Sequence, residues 1–320
     1  PLADLLFNFL FARILLVIHR KFIAANLSLK VVCPNVSRQC SIWSTPDAPS
    51  IRPISPSVSY VDDAAFALVS KDPAALLRQA PLATGIVYDT LTEYGLPVNL
   101  KPGKSEGILH FRGKGSQAII RDPNRNITSL KFDSEHHGPL NLCLVNTYKH
   151  LGSIFNPAGS FAADVISRCN AASVAFMPLA KPFFGNQTIA LSTRLSVFRS
   201  CIASIMFYGS HVWHDLTAPV YEKLCTTYFR FLRIITGARV FCKERAVSND
   251  ELLNKTGLPH PAHVIYCNRL AFLPRLFLHA PAPLLILLRA TEFMPGSWAH
   301  STIKLLEDAF NLTPKLESWP

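Results

Sequence analysis

The stretch Ser57-Val-Ser-Tyr60-Val-Asp62-Asp63-Ala-Ala-Phe-Ala-Leu-Val69 decides the fold predicted for this chain of 320 residues. Residues 57–61 alternate between polar and apolar side chains, and residues 64–69 form a second short apolar run. Two such runs separated by two residues predict a β-hairpin with Asp62-Asp63 as its turn. Aspartate pairs are not favoured in such turns, and a turn residue that opposes its propensity often serves chemistry.

Two adjacent carboxylates at a hairpin tip suit a magnesium site. Mg²⁺ prefers hard carboxylate oxygens, and phosphoryl transfer to a growing nucleic-acid strand uses two such ions roughly 3.5–4 Å apart. Acidic pairs are also common in turns that are only solvated. Asp62 and Asp63 by themselves therefore leave both interpretations open.

Further short motifs lie on both sides of this hairpin. They are Pro1-Leu-Ala-Asp-Leu-Leu-Phe-Asn8 before it and, after it, Gly95-Leu-Pro-Val-Asn99, Gly103-Lys-Ser-Glu106, Tyr148-Lys-His-Leu-Gly152, Phe207-Tyr-Gly-Ser210 with Trp213, and Phe231-Leu-Arg-Ile-Ile-Thr-Gly237. Each motif is modest alone, whereas their shared order and spacing are specific. Together they resemble the motifs of reverse transcriptases of non-LTR (LINE-like) retrotransposons, from the glutamine–glycine box of the palm through the thumb.

The resemblance covers residues 1–237 and implies a role for each matching position. Asp62 and Asp63 match the catalytic aspartates of the Y/F-x-D-D box, in which the first ligates metal and the second supports the metal site. Lys104 matches the catalytic lysine that approaches the incoming triphosphate. Leu151 and Gly152 match the tight hairpin that grips the primer. The nucleic-acid-binding residues implied in this way are Tyr60, Leu151, Gly152, Arg230 and Arg233.

The implied function is that of an RNA-directed DNA polymerase, a nucleotidyltransferase that adds dNTPs to a primer terminus. Its partners would be an RNA template, a DNA primer and dNTPs, and the complete enzyme would use two Mg²⁺ ions. The family's other metal-binding aspartate lies upstream and is absent here, so we expect this chain to be a fragment that is inactive alone. We expect no membrane and no obvious protein partner. We also expect an intracellular location, nuclear or cytoplasmic, because no basic segment of the signal-peptide kind precedes the first apolar run.

Basic residues are concentrated in the predicted thumb, within a chain whose formal charge is +11. Between residues 168 and 245 ten basic residues stand against three acidic ones, a difference of seven charges. The ten are Arg168, Lys181, Arg194, Arg199, Lys223, Arg230, Arg233, Arg239, Lys243 and Arg245. A helical domain that grips a duplex through its phosphates concentrates charge in this way, and an ordinary cationic surface is the competing interpretation.

Two other functions stay open from the sequence. The first is a non-catalytic nucleic-acid-binding remnant with the same fold. The second is a small membrane protein, because 49% of the residues are hydrophobic and the mean hydropathy is +0.22. The best candidate span, residues 2–18, contains Asp4 and Arg13, whose insertion into hydrocarbon is expensive. The pattern therefore favours a buried core helix.

Cysteine and histidine give weak signals. The eight cysteines contain no C-x-x-C pair, which argues against a zinc module and against a dense disulfide framework. His260, His263 and Cys267 share one predicted helical face, but no fourth ligand is evident. We therefore interpret them as incidental residues after a turn.

We expect an α+β fold, in which an incomplete polymerase palm, an antiparallel sheet with helices, precedes a mostly helical thumb. The palm would take residues 1–156, the thumb 157–245, and a helical C-terminal extension of unknown role 246–320. Helices are predicted at residues 3–23, 73–94, 163–180, 188–213, 220–236 and 261–278, and strands at 29–32, 57–61, 64–69, 96–100, 106–111, 142–145 and 148–155. Asp72 followed by Pro73 predicts the start of the second helix, and Gly95 and Gly237 predict the ends of the second and fifth. With the upstream strand lacking, we also expect a vacant strand position beside residues 58–61.

Overall fold

The computed structural model describes residues 2–33, 50–54, 57–60, 63–70, 72–113, 115–120, 128–238, 247–292 and 294–312. The chain forms two compact units, which are described separately below. The first unit comprises Pro1–Tyr148 with Pro281–Ala290, and the second comprises Lys149–Ala280 with Thr291–Pro320. The division after Tyr148 lies eight residues before the palm–thumb boundary expected at residue 156.

Helices dominate the second unit, and all strands but the last two lie in the first. The helices are α1 (Leu2–Ala24), α2 (Pro73–Glu93), α3 (Ser116–Ile120), α4 (Ala162–Leu179), α5 (Leu191–Val197), α6 (Ser204–Met206), α7 (Ala218–Thr236), α8 (Asn249–Thr256), α9 (Pro261–His279), α10 (Ala282–Thr291) and α11 (Trp298–Leu312). The strands are β1 (Leu29–Cys33), β2 (Ser50–Ile54), β3 (Ser57–Tyr60), β4 (Asp63–Phe66), β5 (Glu106–Gly107), β6 (Ser129–Ser134), β7 (Gly138–Leu144), β8 (Tyr148–His150) and β9 (Ser153–Phe155).

Helix α1 packs one face against α2 in the first unit. Its buried side chains, which recur every three or four residues, are Phe11, Ile14, Ile18 and Phe22. The buried core helix expected here is confirmed for this face, whereas elsewhere on the helix Phe9 is 68% exposed and Leu16 is 52% exposed. Within the ranges that the structure describes, no helix is both long enough and apolar enough to cross a bilayer.

Helix α2 begins and ends at the residues that the sequence predicts. The carboxylate of Asp72 accepts hydrogen bonds from the backbone N–H groups of Ala74 and Ala75, and Pro73 occupies the first helical position. Gly95 follows the last turn with φ of 77°, a backbone conformation that glycine adopts without strain. These predictions are confirmed.

The β3–β4 hairpin is confirmed, with a corrected register. Tyr60 pairs with Asp63, so Asp63 is the first residue of β4 and not a turn residue. Val61 and Asp62 lie outside the described residues. Among the described strands, β3 and β4 pair only with each other. The vacant strand position expected beside residues 58–61 stays a prediction.

The remaining strands do not form the single antiparallel sheet expected of a palm. Within the described ranges there are four separate small sheets, and β5 runs parallel to β7. Residues 96–100, predicted as a strand, form none, and the strand predicted at 106–111 is only two residues long. Strand β2 was not predicted because it contains Pro53, which edge strands tolerate. The coarser class, helices mixed with small β-sheets, is confirmed.

Helix α2 is fixed against the β6–β7 hairpin by one close approach and one buried carboxylate. A Cβ atom on Gly85 would lie 2.8 Å from the carbonyl oxygen of Asp133, so only glycine permits this approach. The buried carboxylate of Asp89 accepts hydrogen bonds from the hydroxyl of Ser134 and from the N–H of Glu135, 3.0 Å away. The turn of the β6–β7 hairpin is thereby attached to the helix.

The core of the second unit lies between α4 and α7. Phe176 stacks on Phe184 and on Phe231, with ring centroids 4.4 and 4.3 Å apart. Helices α4, α7 and α9 agree with their predicted bounds to within two residues, and Gly237 ends α7 as predicted. The single helix predicted at 188–213 is wrong. There α5 passes into a π-helical segment and α6, and the chain then turns at Gly209, where φ is 73°.

Candidate functional site

The motif Tyr148-Lys-His-Leu-Gly152 forms the tip of the β8–β9 hairpin. Leu151 and Gly152 are the two residues between the strands, and their φ angles are 47° and 84°. Positive φ at both central residues is the requirement of a type I′ turn, which matches the right-handed twist of the flanking strands. The tight hairpin that the resemblance implies is confirmed, whereas the strand predicted at residues 148–155 is wrong because the turn divides it into two strands. The contact of the hairpin with a primer stays a prediction.

Leu151 is an unusual residue for this position. A bulky residue at positive φ is an outlier in proteins, and such strain costs about 1–3 kcal/mol. The Leu151 side chain is 45% exposed, so burial in a core does not offset this strain. Strained and exposed residues of this kind concentrate at functional sites.

Two side chains from the helical part of the unit hold the backbone of the tip. The hydroxyl of Tyr208 donates a hydrogen bond to the carbonyl oxygen of Leu151, 3.1 Å away. The Arg168 guanidinium donates through Nη2 to the carbonyl oxygen of Gly152 and stacks over the Tyr208 ring, 4.2 Å from its centroid. A Cβ atom at residue 152 would lie 3.2 Å from Nη2 of Arg168, so glycine serves both the turn and this contact.

The buried carboxylate of Asp164, in the first turn of α4, joins the hairpin to the Trp213 segment. Its Oδ1 accepts a hydrogen bond of 3.0 Å from the N–H of Ile154 in β9. Its Oδ2 accepts a hydrogen bond of 2.9 Å from the indole Nε1–H of Trp213. Nε of Arg168 lies 3.9 Å from Oδ1, which is close enough to balance the charge. The predicted hairpin and the predicted thumb motif thus meet on one carboxylate.

The C-terminal helices support the Ser210–Val212 turn and Trp213 from the other side. The Asn268 side chain donates to the hydroxyl of Ser210 (2.8 Å), and the Trp298 indole donates to the carbonyl oxygen of His211 (2.8 Å). The Arg269 guanidinium donates to the carbonyl oxygen of Trp213. Burial lowers the pKa of the Arg269 guanidinium. Residues 261–312 carry no sequence motif, yet they position a motif segment.

The basic residues of this unit do not all face solvent. This finding corrects the prediction that the ten basic residues between positions 168 and 245 serve to bind phosphates. Arg194 is buried, and its guanidinium donates to the carbonyl oxygens of Ile189 (3.0 Å), Phe184 (3.1 Å) and Ile235. It therefore stabilises the fold and is not available to phosphates. Arg168 likewise uses its guanidinium to bind the Gly152 carbonyl oxygen of the hairpin. Three further cations of the predicted set lie outside the described residues: Arg239, Lys243 and Arg245.

Arg230 and Arg233 lie on the outer side of α7, along an open groove between α7 and α8. Nη2 of Arg230 donates to the Ser173 hydroxyl (3.0 Å), and Nη2 of Arg233 donates to Oδ1 of Asn249 (2.8 Å). A guanidinium carries five N–H donors, so these bonds fix each side chain and leave donors for a phosphate. The groove is lined by Glu222, Cys225, Thr226, Phe229, Arg230, Arg233, Ile234, Ala238 and Asn249.

The other predicted site residues lie in the first unit. Tyr60 and Asp63 form the paired end of the β3–β4 hairpin, whereas Asp62 lies outside the described residues. Lys104 is exposed in a turn whose backbone is fixed on both sides. The Glu106 carboxylate accepts from the N–H of Gly103 (2.7 Å), and the Asn99 side chain accepts from the N–H of Lys101 (3.1 Å). Hairpin and turn both adjoin the core between α1 and α2, through Phe66 and Leu96 respectively.

His260, considered above as a metal ligand, serves as the N-cap of α9. Its Nδ1 accepts a hydrogen bond from the N–H of Ala262, 3.3 Å away, and lies 3.4 Å from the Tyr221 hydroxyl. Burial is the main cause that lowers the pKa of His260, with the neighbouring His263 as a second cause. A neutral imidazole suits this acceptor role.

Comparison with protein-family models, with curated proteins and with solved structures finds no match for this chain. The site is therefore defined by the contacts of the chain itself. Sequence motifs identified Leu151, Gly152 and Tyr208 but missed Asp164 and Arg168, which lie within an ordinary helical pattern. The one signal for these two was their spacing, since an acidic and a basic residue four positions apart share a helix face.

Asp164→Asn should destabilise the second unit. One of the two N–H groups that the carboxylate binds would face the amide NH₂ of asparagine, and a buried donor left without an acceptor costs about 1–3 kcal/mol. The free energy of unfolding, measured with denaturant, should fall by that amount. Asp308→Asn, at an exposed position of α11, is the matched control and should stay within about 0.5 kcal/mol of the parent. Equal stability of the two variants would contradict the role given to Asp164.

Proposed function

We propose that this chain is part of a reverse transcriptase of the non-LTR retrotransposon kind and that its second unit holds the primer terminus at the Leu151–Gly152 tip. The observation that carries the proposal is the contact between Tyr208 and Leu151, which are 57 residues apart and belong to two different motifs of that resemblance. Their meeting in one cluster is what a shared site requires.

The tip has the chemistry that a nucleic-acid end needs. Leu151 offers an exposed apolar surface, and Tyr208, which is half exposed, offers an aromatic edge beside it. Sugars and base faces pack against such side chains without a sequence requirement. Arg230 and Arg233, on the outer side of α7, supply cations for backbone phosphates, which dominate the affinity of proteins for nucleic acids.

The catalytic half of the proposal rests on the motifs of the first unit. Asp62 and Asp63 would hold Mg²⁺, and Lys104 would neutralise the phosphates of the incoming dNTP. The two ions, when bound, supply a clamp for the attacking and leaving oxygens. Lys104 is suited to its part because its turn is exposed and its backbone is held by Asn99 and Glu106. The RNA template and DNA primer are proposed partners on the same basis.

The Leu151→Asn substitution tests the function of the tip, because it should weaken binding without weakening the fold. Asn-Gly is a preferred type I′ dipeptide, so relief of strain should raise the free energy of unfolding by about 1 kcal/mol. Loss of the apolar contact should weaken binding to a primer–template with a recessed 3′ end about fivefold, which corresponds to about 1 kcal/mol. Fluorescence anisotropy with recessed-end and blunt duplexes of equal length measures this.

Leu278→Asn is the matched control for that experiment, because Leu278 is a 77% exposed leucine on α9. It should leave the affinity for both duplexes unchanged. Undiminished binding of the recessed end by Leu151→Asn would remove the tip from the proposed primer site.

Arg230→Ala tests the phosphate contacts of α7. Each phosphate contact on duplex DNA contributes a slope of about −0.9 to the dependence of log K on log salt concentration. The slope measured for a primer–template should therefore become shallower by about that value. Arg275→Ala, at an exposed position of α9, should leave it unchanged. A salt-independent weak interaction of the parent chain would mean that this charge is surface solvation.

Asp62→Ala tests the catalytic assignment in a chain joined to an upstream palm segment that carries the family's other metal-binding aspartate. The substitution should abolish dNTP incorporation and leave template binding intact, because a metal ligand is lost while the thumb is untouched. Asp308→Ala on α11 is the control and should polymerise like the parent. Polymerisation by Asp62→Ala at the parent rate would refute the assignment. A parent that binds duplex but never polymerises would instead indicate a non-catalytic nucleic-acid-binding protein.

A further inference from the structure

Arg168 makes three contacts with three different parts of the second unit. It donates to the Gly152 carbonyl at the hairpin tip, stacks on the Tyr208 ring after α6, and lies beside the Asp164 carboxylate within α4. Its side chain is only 14% exposed. A cation placed to bind phosphate would extend into solvent, whereas this guanidinium is enclosed by protein groups.

We propose that Arg168 is a positioning residue that fixes the Leu151–Gly152 tip in the orientation needed for a primer terminus. This inference rests on the proposed function, because it concerns how the same tip is held. Arg168 acts through the backbone of the tip and does not itself touch nucleic acid.

The geometry explains why arginine is needed here. The planar guanidinium can stack on an aromatic ring with its face while its edge donates to a carbonyl and approaches a carboxylate. A lysine ammonium is a compact charge that cannot stack and donate in fixed directions at once. Lysine at residue 168 would therefore keep a positive charge near Asp164 and lose the hold on the tip.

Tyr208 is the second side chain that holds the tip. Its ring supports the guanidinium, and its hydroxyl binds the Leu151 carbonyl, so both carbonyls of the turn are held by one stacked pair. The ring is half exposed, so its removal leaves no large internal cavity. Tyr208 lies two residues before Ser210, which the Asn268 side chain contacts. The support of the tip thus continues through the backbone to α9.

Arg168→Lys in the full chain provides the test, with two readouts. The first is backbone hydrogen exchange of residues 148–155, measured by mass spectrometry without nucleic acid, which should become at least fivefold faster while α4 and α7 are unchanged. The second is the preference for a recessed 3′ end over a blunt duplex, which should be lost. Arg275→Lys, an exposed arginine of α9, should change neither readout.

Tyr208→Leu is the companion variant, because it removes the stacked ring and leaves the Asp164–Arg168 pair in place. It should also speed the hydrogen exchange of residues 148–155 and abolish the recessed-end preference. Its thermal unfolding midpoint should stay close to that of the parent. Tyr208→Phe keeps the ring and loses only the hydroxyl, so it should retain the recessed-end preference in larger part.

The outcomes separate this inference from the proposed function. Unchanged hydrogen exchange of the hairpin in Arg168→Lys and Tyr208→Leu would overturn the positioning role. Faster exchange with an undiminished recessed-end preference would overturn it as well, since tip orientation would then not govern binding. A parent chain without any recessed-end preference would instead contradict the proposed function and, with it, a role of Arg168 at a primer.

Discussion

A carboxylate removed from water is stable only when its lone pairs are hydrogen-bonded and its charge is balanced. Asp164 meets this requirement with groups from three different elements: the N–H of Ile154 in β9, the guanidinium of Arg168 one turn further along α4, and the indole of Trp213, which is 49 residues away. Because the penalty for leaving any of them out is large, the position of the hairpin relative to α4 is strongly specified. The arrangement of the candidate site follows from this one buried charge.

The firmly held hairpin can contain a strained residue, Leu151. Hydrogen bonds to the carbonyl oxygens of Leu151 and Gly152 keep the turn in place, although the positive φ of Leu151 is unfavourable for leucine. Strained residues persist only where the surrounding structure over-determines them. The helices α9 and α11 contribute to this, since they fix the segment that carries Trp213. A region without a recognisable motif is therefore part of the support of the site.

Local signals predicted local structure well. Asp72 and Pro73 marked the start of α2, and Gly237 marked the end of α7, because helix caps depend on a few neighbouring residues. Local sequence patterns did not predict strands correctly where the pairing partner is distant in sequence. The strand expected at residues 96–100 found no neighbour to pair with among the described strands, and the position of Asp63 within β4 depended on a register that alternation alone does not fix.

By itself, the sequence determined the helical periodicity, the caps and the order of motifs on which the proposed function rests. Only the tertiary structure decided what each charge does. Arg194, counted in the sequence as one more surface cation, is buried among backbone carbonyls, and Arg168 is enclosed beside Asp164. The reason is physical: a guanidinium has the same chemistry everywhere, and its role is set by the acceptors that folding brings within hydrogen-bond distance.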